Sequence, residues 1–281
     1  MLACAVRGQC DECEVDERQK DDNTHRAKHA LVYTLDAASA EQPIVFRPYV
    51  VRGGISMSAN LREAIRTPEV LNEEMMKAQV LIDTQSLLVP VEEFDEADKE
   101  KLFEYSYPAG QEKRVVLYNV LPDLKAVCLF AVNKNVATVL GDRFDAGVDY
   151  IHALTPVWRQ LHQRSFTGHR NKLYGYFHNK QLHIFSFQQN RFKFCNTFDA
   201  AHAHDALYYL LYVWKQLRLE NEHDELHLVG DIPEQEWLMD EVKKYVANAY
   251  VINPQADYQD APATKIKGMP YDLMTLITRG R

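Results

Sequence analysis

The chain has 281 residues, of which 46% are apolar and 26% are charged, and its formal net charge is -8. This composition predicts a globular fold with one large or two medium cores, while the negative charge argues against a dedicated binder of nucleic acid or anionic membranes. No apolar run is long enough for a membrane-spanning helix, so we expect a cytoplasmic protein.

Residues 1–25 are polar and mostly acidic, and we expect a disordered tail there. The tail holds a lone C-x-x-C motif, Cys10 and Cys13. A zinc site needs four ligands, for which only Cys4 and His25 lie nearby, so we prefer the unstructured tail. The chain has five cysteines, and an odd number without a secretory signal argues against a disulfide framework.

The first half of the chain alternates short strand and helix patterns. Asp95 is a predicted helix cap, and Pro122-Asp123 is a turn signal between two apolar runs. The predicted elements, in order, are strands at 30–35 and 43–51, a helix from residue 58, strands at 79–83 and 87–91, a helix at 95–105, a hairpin of 115–121 and 126–132, a helix at 134–144, a strand at 148–153 and a helix at 156–164.

The stretch 172–199 has the clearest pattern, because it alternates apolar and polar residues three times, as half-buried strands do. His178-Asn179-Lys180 and Gln188-Gln189-Asn190 interrupt the alternation at hairpin spacing, and Asn tolerates the left-handed backbone of such turns. We predict three antiparallel strands in a meander. A helix at 202–217, a strand at 225–230, a helix at 233–247, a strand at 250–253 and an apolar segment at 270–277 that docks on the sheet complete the pattern.

The second half therefore has the order β-β-β-α-β-α-β, which is the order of a ribonuclease-H-like core, with right-handed crossovers. The first half has a less regular version of the same order. The polar stretch 165–172 separates the two, so we expect subdomains at 26–164 and 165–281. Two such cores in tandem give an α/β protein of the actin-like ATPase architecture, with mixed sheets and helices packed on them.

Several long runs resemble an uncharacterised, domain-of-unknown-function family of bacterial proteins with an actin-like ATPase fold. They lie between about Val45 and the C-terminus and include RPYVVRGGISMSANLREA, VVLYNVLPDLKAVCLFAVNK, KLYGYFHNKQLHIFSF, RFKFCNTFD, DALYYLLYVWKQL, DELHLVGDIPE, AYVINP and KGMPYDLMTLI. The resemblance implies the duplicated fold. It also implies kinship with platform proteins of pilus assembly and type II secretion and with actin-like division proteins, but fold does not imply function.

The resemblance also implies where ATP chemistry would lie. Actin-like ATPases hold phosphates between two hairpins that each carry Asp-x-Gly, in which Asp positions Mg²⁺ or water and Gly admits the phosphate. The first hairpin is expected at 27–35, where there is no glycine, and the second at 176–180, which lacks both residues. Gly230 and Asp231 stand where a Gly-Gly would pack on adenosine.

We therefore expect no catalytic residues, no metal site and no cofactor. ATP with Mg²⁺ is the alternative, and its contacts would be Gly230, Asp231, Asn179 and Lys180. On this basis we expect a non-catalytic pseudo-ATPase that acts as a scaffold or interaction module with an unidentified protein partner. The alternative function is an ATP-binding switch or ATPase that uses the cleft between the lobes.

Further candidate sites are a basic cluster and a pair of tyrosines. Arg164, His169, Arg170 and Lys172 are candidates for binding an anion, an acidic partner or, as a weaker option, RNA; a solvated connector is the simpler interpretation. The acidic runs at 92–100 and 223–225 are interpreted as a capped helix start and a charged turn. Tyr208 and Tyr212 lie four apart on a predicted helix, and they would mark a partner surface if both are exposed.

Overall fold

The computed structural model describes residues 2–7, 28–34, 44–66, 78–108, 110, 112–144, 147–259 and 261–279. The chain forms two compact units, one comprising residues up to Leu121 together with Ala126–Thr155, and the other Pro122–Lys125 together with Pro156–Arg281. The division falls between Thr155 and Pro156, ahead of the expected boundary at residue 165. No helix within these described ranges combines the length and the apolar character that crossing a membrane requires.

The first unit contains a five-stranded sheet and a three-stranded sheet. Its elements are β1 (Leu2–Arg7), β2 (Lys28–Thr34), β3 (Ile44–Val50), α1 (Met57–Arg66), β4 (Ala78–Asp83), β5 (Ser86–Pro90), α2 (Lys99–Ser106), β6 (Arg114–Leu121), β7 (Ala126–Asn133), α3 (Lys134–Arg143) and β8 (Val148–His152). The larger sheet has the order β3-β2-β1-β4-β8 and the smaller one β5-β7-β6.

The expected disordered tail over residues 1–25 is wrong for residues 2–7, which form β1. This strand pairs antiparallel with β2 and parallel with β4, in the middle of the larger sheet. The run Leu2–Val6 is continuously apolar, as suits a strand inside a sheet, but it is too short and lacks the alternation that would have predicted a strand. The Cys10–Cys13 motif and His25 lie outside the described residues.

The smaller sheet has its own core with α2. The buried members of this core are Val89, Phe103, Val116, Val127 and Leu129. Asp95 caps the short 3₁₀ turn that precedes α2, and its Oδ1 accepts from the Ala97 amide at 2.9 Å. The predicted cap is therefore confirmed, although α2 itself begins at Lys99.

The side chain of Asn119 on β6 joins the two sheets of the first unit. Its Nδ2 donates to the carbonyl oxygen of Tyr150 at 2.9 Å, and its Oδ1 accepts from the amide of His152 at 2.7 Å. Both partners belong to β8, the edge strand of the larger sheet. The carboxamide thus satisfies one donor and one acceptor of that edge, as a neighbouring peptide group would.

The second unit contains one five-stranded sheet flanked by helices. Its elements are α4 (Leu154–Ser165), β9 (Lys172–His178), β10 (Gln181–Gln188), β11 (Arg191–Asp199), α5 (Ala203–Gln216), β12 (Glu225–Gly230), α6 (Gln235–Lys243), β13 (Asn248–Val251), α7 (Pro254–Asp257) and α8 (Tyr271–Arg279). α4 begins at the end of the first unit, but its Trp158 packs edge-on against Phe192 of β11, which accounts for its place in the second.

The predicted meander is confirmed. β9, β10 and β11 pair antiparallel in sequence, and β12 and β13 extend the sheet as parallel strands. The two turns have positive φ at both central positions, 48° and 62° at Asn179 and Lys180, and 49° and 61° at Gln189 and Asn190. This geometry is that of two-residue hairpin turns with the twist that antiparallel strands need.

The two larger sheets repeat one topology. The order β11-β10-β9-β12-β13 of the second unit corresponds, strand for strand, to β3-β2-β1-β4-β8 of the first. In each unit one helix follows the three-stranded meander, α1 or α5, and a second precedes the last strand, α3 or α6. The small sheet with α2 is an insertion after the fourth strand of the first unit. The expected duplicated α/β fold is therefore present.

The central strands β9, β10 and β12 of this sheet are buried on both faces, and the two faces differ in chemistry. One face is mainly aliphatic, and its residues pack with α5 and α6. The other face carries buried aromatic and histidine side chains, and Tyr271 of the predicted docking segment, now α8, contacts Tyr176 on it. The main buried residues of this second face are Tyr174, Tyr176, His178, His183, Phe185 and His227.

Gly175 sets how closely α5 approaches β9. A Cβ at this position would lie 2.8 Å from Cδ2 of Leu228 and 3.3 Å from Cδ2 of Leu210 on α5. We predict that Gly175→Ala lowers the free energy of unfolding by about 1–3 kcal/mol, because the aliphatic core has no space for the methyl group. Urea denaturation would measure this loss.

A double-mutant cycle with Leu228→Val provides the control. Shortening the side chain that the new methyl group meets should make Gly175→Ala less costly, by about 0.5–1.5 kcal/mol of coupling energy. Equal costs in both backgrounds would show that the space above Gly175 is not limiting.

Candidate functional site

The four residues that the sequence predicts as nucleotide contacts lie at the carboxyl ends of two inner strands of the second unit's sheet. Asn179 and Lys180 form the turn after β9, and Gly230 and Asp231 follow β12. β9 and β12 are parallel neighbours, and Gly230 pairs in register with Phe177. Their carboxyl ends therefore meet, and the exposed Lys180 and Asp231 supply an ammonium and a carboxylate there.

Gly230 is explained by packing between backbones. Its φ is +97°, and a Cβ would lie 2.1 Å from the carbonyl oxygen of Phe177. The same oxygen accepts from the amide of Asp231 at 3.0 Å. Only glycine fits so close to the neighbouring strand, so the residue is required by the fold, whether or not a phosphate binds.

The first of the two expected phosphate hairpins is not where the sequence placed it. Because β1 precedes β2, the connection between the first two strands of the sheet is residues 8–27, and the expected position at 27–35 coincides with β2. Residues 8–27 lie outside the described part of the chain, and their sequence contains no Asp-x-Gly.

In the basic cluster, Arg164 and Lys172 are partly or fully buried, whereas His169 and Arg170 are exposed to solvent. Arg164 forms an ion pair with Asp257, and the buried Lys172 donates to the Arg164 carbonyl at 3.3 Å and to the carbonyl and the Oγ1 of Thr167. Lys172 thus binds the carbonyl oxygens at the end of α4, where a positive charge suits the helix dipole.

Glu225 connects the cluster to the histidine face of the sheet. Its Oε2 lies 2.9 Å from Nε2 of His227 and 3.9 Å from Nζ of Lys172, and its Oε1 lies 3.8 Å from Arg170. Burial lowers the pKa of both His227 and Lys172, although Glu225 acts in the opposite direction on each. Burial also raises the pKa of Tyr174, whose ring stacks on His227 at 5.5 Å.

This network was missed in the sequence, although Glu225 and His227 are two apart on a strand and therefore share a face. The neighbouring Asp224 is a buried clamp that accepts from both nitrogens of Asn171 and from the Glu220 amide. Over the described ranges, no group of three or more His, Cys, Asp or Glu residues is arranged to hold a metal ion.

Tyr208 and Tyr212 are exposed together on α5. Their side chains are 63% and 48% exposed, and their rings stack at 6.1 Å with an interplanar angle of 16°. Tyr209 contacts Tyr208 at 5.3 Å and Phe198 of β11 at 4.5 Å, so the aromatic contacts run from the edge strand to the outer face of the helix. Joint exposure of Tyr208 and Tyr212 is the condition under which we expected them, from the sequence, to mark a partner surface.

The repeated sheet order defines a protein of the duplicated ribonuclease-H-like, actin-like fold. The chain belongs to the family described as "Protein of unknown function (DUF3822)", whose model matches residues 27–249. The family resemblance inferred from the sequence is therefore confirmed, and nothing in the family description identifies a specific role.

Similar solved structures include the following two. A protein of Bacteroides thetaiotaomicron with actin-like ATPase fold and unknown function is 24% identical, with 95% of this chain and 96% of that chain covered and a TM-score of 0.74. A chain of the PilM-PilN type IV pilus biogenesis complex is 12% identical, with 99% and 94% covered and a TM-score of 0.50. These likenesses establish the fold. The comparison with curated proteins finds no match.

Gly230→Ala tests the packing explanation, with Gly268→Ala as a matched control. Gly268 also has a positive φ, +80°, but its surroundings are open within 4 Å. We predict that Gly268→Ala costs about 1–2 kcal/mol of stability from backbone strain alone, whereas Gly230→Ala costs about 4 kcal/mol or prevents folding. Equal urea midpoints for the two variants would contradict the close backbone contact.

Because His227 is buried, we predict that the free energy of unfolding depends on pH. Because burial lowers its pKa in the folded chain, the unfolded chain binds a proton first as the pH falls below about 6.5. The contribution of His227 to stability should therefore be lost progressively as the pH falls below about 6.5 and be constant above about pH 7. His227→Gln should reduce the fall in the free energy of unfolding on the acid side, as measured by urea unfolding at a series of pH values.

The exposed His223 offers a matched substitution, His223→Gln, at a histidine outside the buried face of the sheet. A His227→Gln variant with the same pH dependence as the parent would show that this imidazole does not resist protonation in the fold.

Proposed function

We propose that the protein is a non-catalytic interaction module that binds another polypeptide through the exposed aromatic face of α5. The observation that carries the proposal is the stacked pair Tyr208 and Tyr212. Aromatic side chains are enriched in protein interfaces because they bury a large area at a small entropic cost. The exposed Phe166 packs instead edge-on against the buried His162, and the exposed Tyr105 is a single apolar residue, which needs no partner.

The pilus structure gives a precedent for the fold. Its chain of similar fold belongs to a complex of two proteins, PilM and PilN. At 12% identity this likeness supports the use of the fold in protein assembly and names no partner for the present chain.

The second candidate is an ATP-binding switch, and the grouping of Asn179, Lys180, Gly230 and Asp231 at the carboxyl ends of β9 and β12 favours it. Three observations weigh against it. The turn after β9 has two residues and no glycine, and neither hairpin sequence carries Asp-x-Gly. The glycine after β12 is accounted for by packing. We therefore place nucleotide binding second and expect neither a cofactor nor a metal in the main function.

We further propose that the protein acts in the cytoplasm and that nucleic acid is not its partner. Cys128 and Cys195 are free thiols, which suits a reducing compartment. Three of the four basic residues that could have met an anion already have partners in the second unit itself, since Arg164 pairs with Asp257, Lys172 with Thr167 and Arg170 with Glu225.

Millimolar Mg-ATP should leave the melting temperature unchanged. A ligand that binds only the folded chain stabilises it by about 2.7 kcal/mol at one hundred times its dissociation constant, so a thermal-shift titration detects weak nucleotide binding. A concentration-dependent rise that Lys180→Ala and Asp231→Asn abolish would replace the interaction module by the ATP-binding switch.

Photo-crosslinking tests the aromatic face itself. A photoreactive phenylalanine analogue at position 208 or 212 should yield a covalent adduct with a second polypeptide in cells. The same analogue at Arg218, which is exposed beyond the end of α5, is the control and should yield little. The absence of adducts at positions 208 and 212 would remove the support for the proposal.

A further inference from the structure

The exposed stripe of α5 has a pattern that is symmetric about the middle of the helix. Its four members are Asp205, Tyr208, Tyr212 and Lys215, all exposed. The spacing of three, four and three residues places them on one face of the helix, opposite the buried Ala206, Leu210 and Val213. Asp205 lies in the first turn and Lys215 in the last turn.

The symmetry has a direct meaning for a pair of such helices. Asp205 and Lys215 lie equally far on either side of Leu210, and so do Tyr208 and Tyr212. Consider two copies of α5 that pack antiparallel through their exposed stripes, with the two-fold axis at the height of Leu210 along the helix. Asp205 of each copy then faces Lys215 of the other, and each Tyr208 faces a Tyr212. Self-complementarity of this kind is what a two-fold, isologous interface requires.

We infer that the partner of this face is a second copy of the chain, and that two copies associate through antiparallel α5 helices. The inference rests on the proposed function, because it names the partner of the same tyrosine surface. Within the described residues, neither Asp205 nor Lys215 has an ion-pair partner, so both are available to the other copy. Leu207, Tyr209 and Leu211 are half-buried beside the stripe and extend its apolar area.

Antiparallel packing adds a favourable dipole term, because the positive start of one helix then lies beside the negative end of the other. The area offered by one helix face is at the low end of specific interfaces. The expected dimer is therefore weak, with dissociation in the micromolar range, and depends on protein concentration.

Asp205 and Lys215 also suit the dipole of α5 within one copy, so the experiment must separate helix stability from association. Charge reversal does so. Asp205→Lys brings two lysines together at each end of the interface, and Lys215→Glu brings two carboxylates together. Each variant should weaken self-association of the full chain about tenfold or more in sedimentation equilibrium, while circular dichroism confirms an unchanged fold.

Mixing the two variants is the decisive step. In a mixed dimer of Asp205→Lys with Lys215→Glu, both ends of the interface pair opposite charges again, so the mixture should associate as strongly as the parent chain. The double variant Asp205→Lys with Lys215→Glu should also recover association. A helix-stability effect within one copy cannot be relieved by mixing, and Tyr208→Ser with Tyr212→Ser should abolish association in every charge background.

The inference is overturned if the parent chain stays monomeric at submillimolar concentration, if it associates but the charge reversals have no effect, or if mixing fails to restore association. A photo-crosslink from position 208 to a different protein would also overturn it while leaving the interaction module intact. A crosslink between two copies supports both.

Discussion

The second unit depends on the burial of β9 on both faces. All seven residues from Lys172 to His178 are buried, although the strand begins with an ammonium group and ends with an imidazole. A buried charge is tolerated only when it is paired and hydrogen-bonded, so Lys172 draws the end of α4 and Glu225 to one end of the strand. At the other end, the carbonyl oxygen of Phe177 lies so close to the end of β12 that only a glycine, Gly230, fits there.

The same constraint changes the meaning of the candidate site residues. Gly230 and Lys172 are residue types that commonly contact phosphates or anions, and each stands near an expected position. In this fold one accommodates a neighbouring strand and the other satisfies helix carbonyl oxygens. Because the fold itself requires Gly230 and Lys172, their presence is weak evidence for phosphate or anion binding. Both residues would be needed even if the protein bound no such ligand.

The outer face of α5 is the opposite case, since the fold does not account for its residues. Tyr208 and Tyr212 expose large apolar rings to water, and the core of the second unit is complete beneath them on Ala206, Leu210 and Val213. A helix of this kind needs polar residues on its solvent side. Two stacked aromatic rings between an acidic and a basic residue are the features on which the proposed partner rests, and their symmetry is the feature on which the proposed second copy rests.

The sequence by itself determined the elements whose signals are local. The alternation of apolar and polar residues predicted the meander, and Asn179 and Asn190 predicted its left-handed turns. Asp95 predicted a helix cap, and the order of elements predicted the duplicated fold. Only the tertiary structure decided the place of β1, the burial of Lys172, the necessity of Gly230 and the exposure of the tyrosine pair. Each of these depends on groups that are distant in the chain, such as β4 beside β1 or the Phe177 oxygen beside Gly230. Residue patterns specify a local conformation and its apolar face, whereas partners and exposure follow from packing.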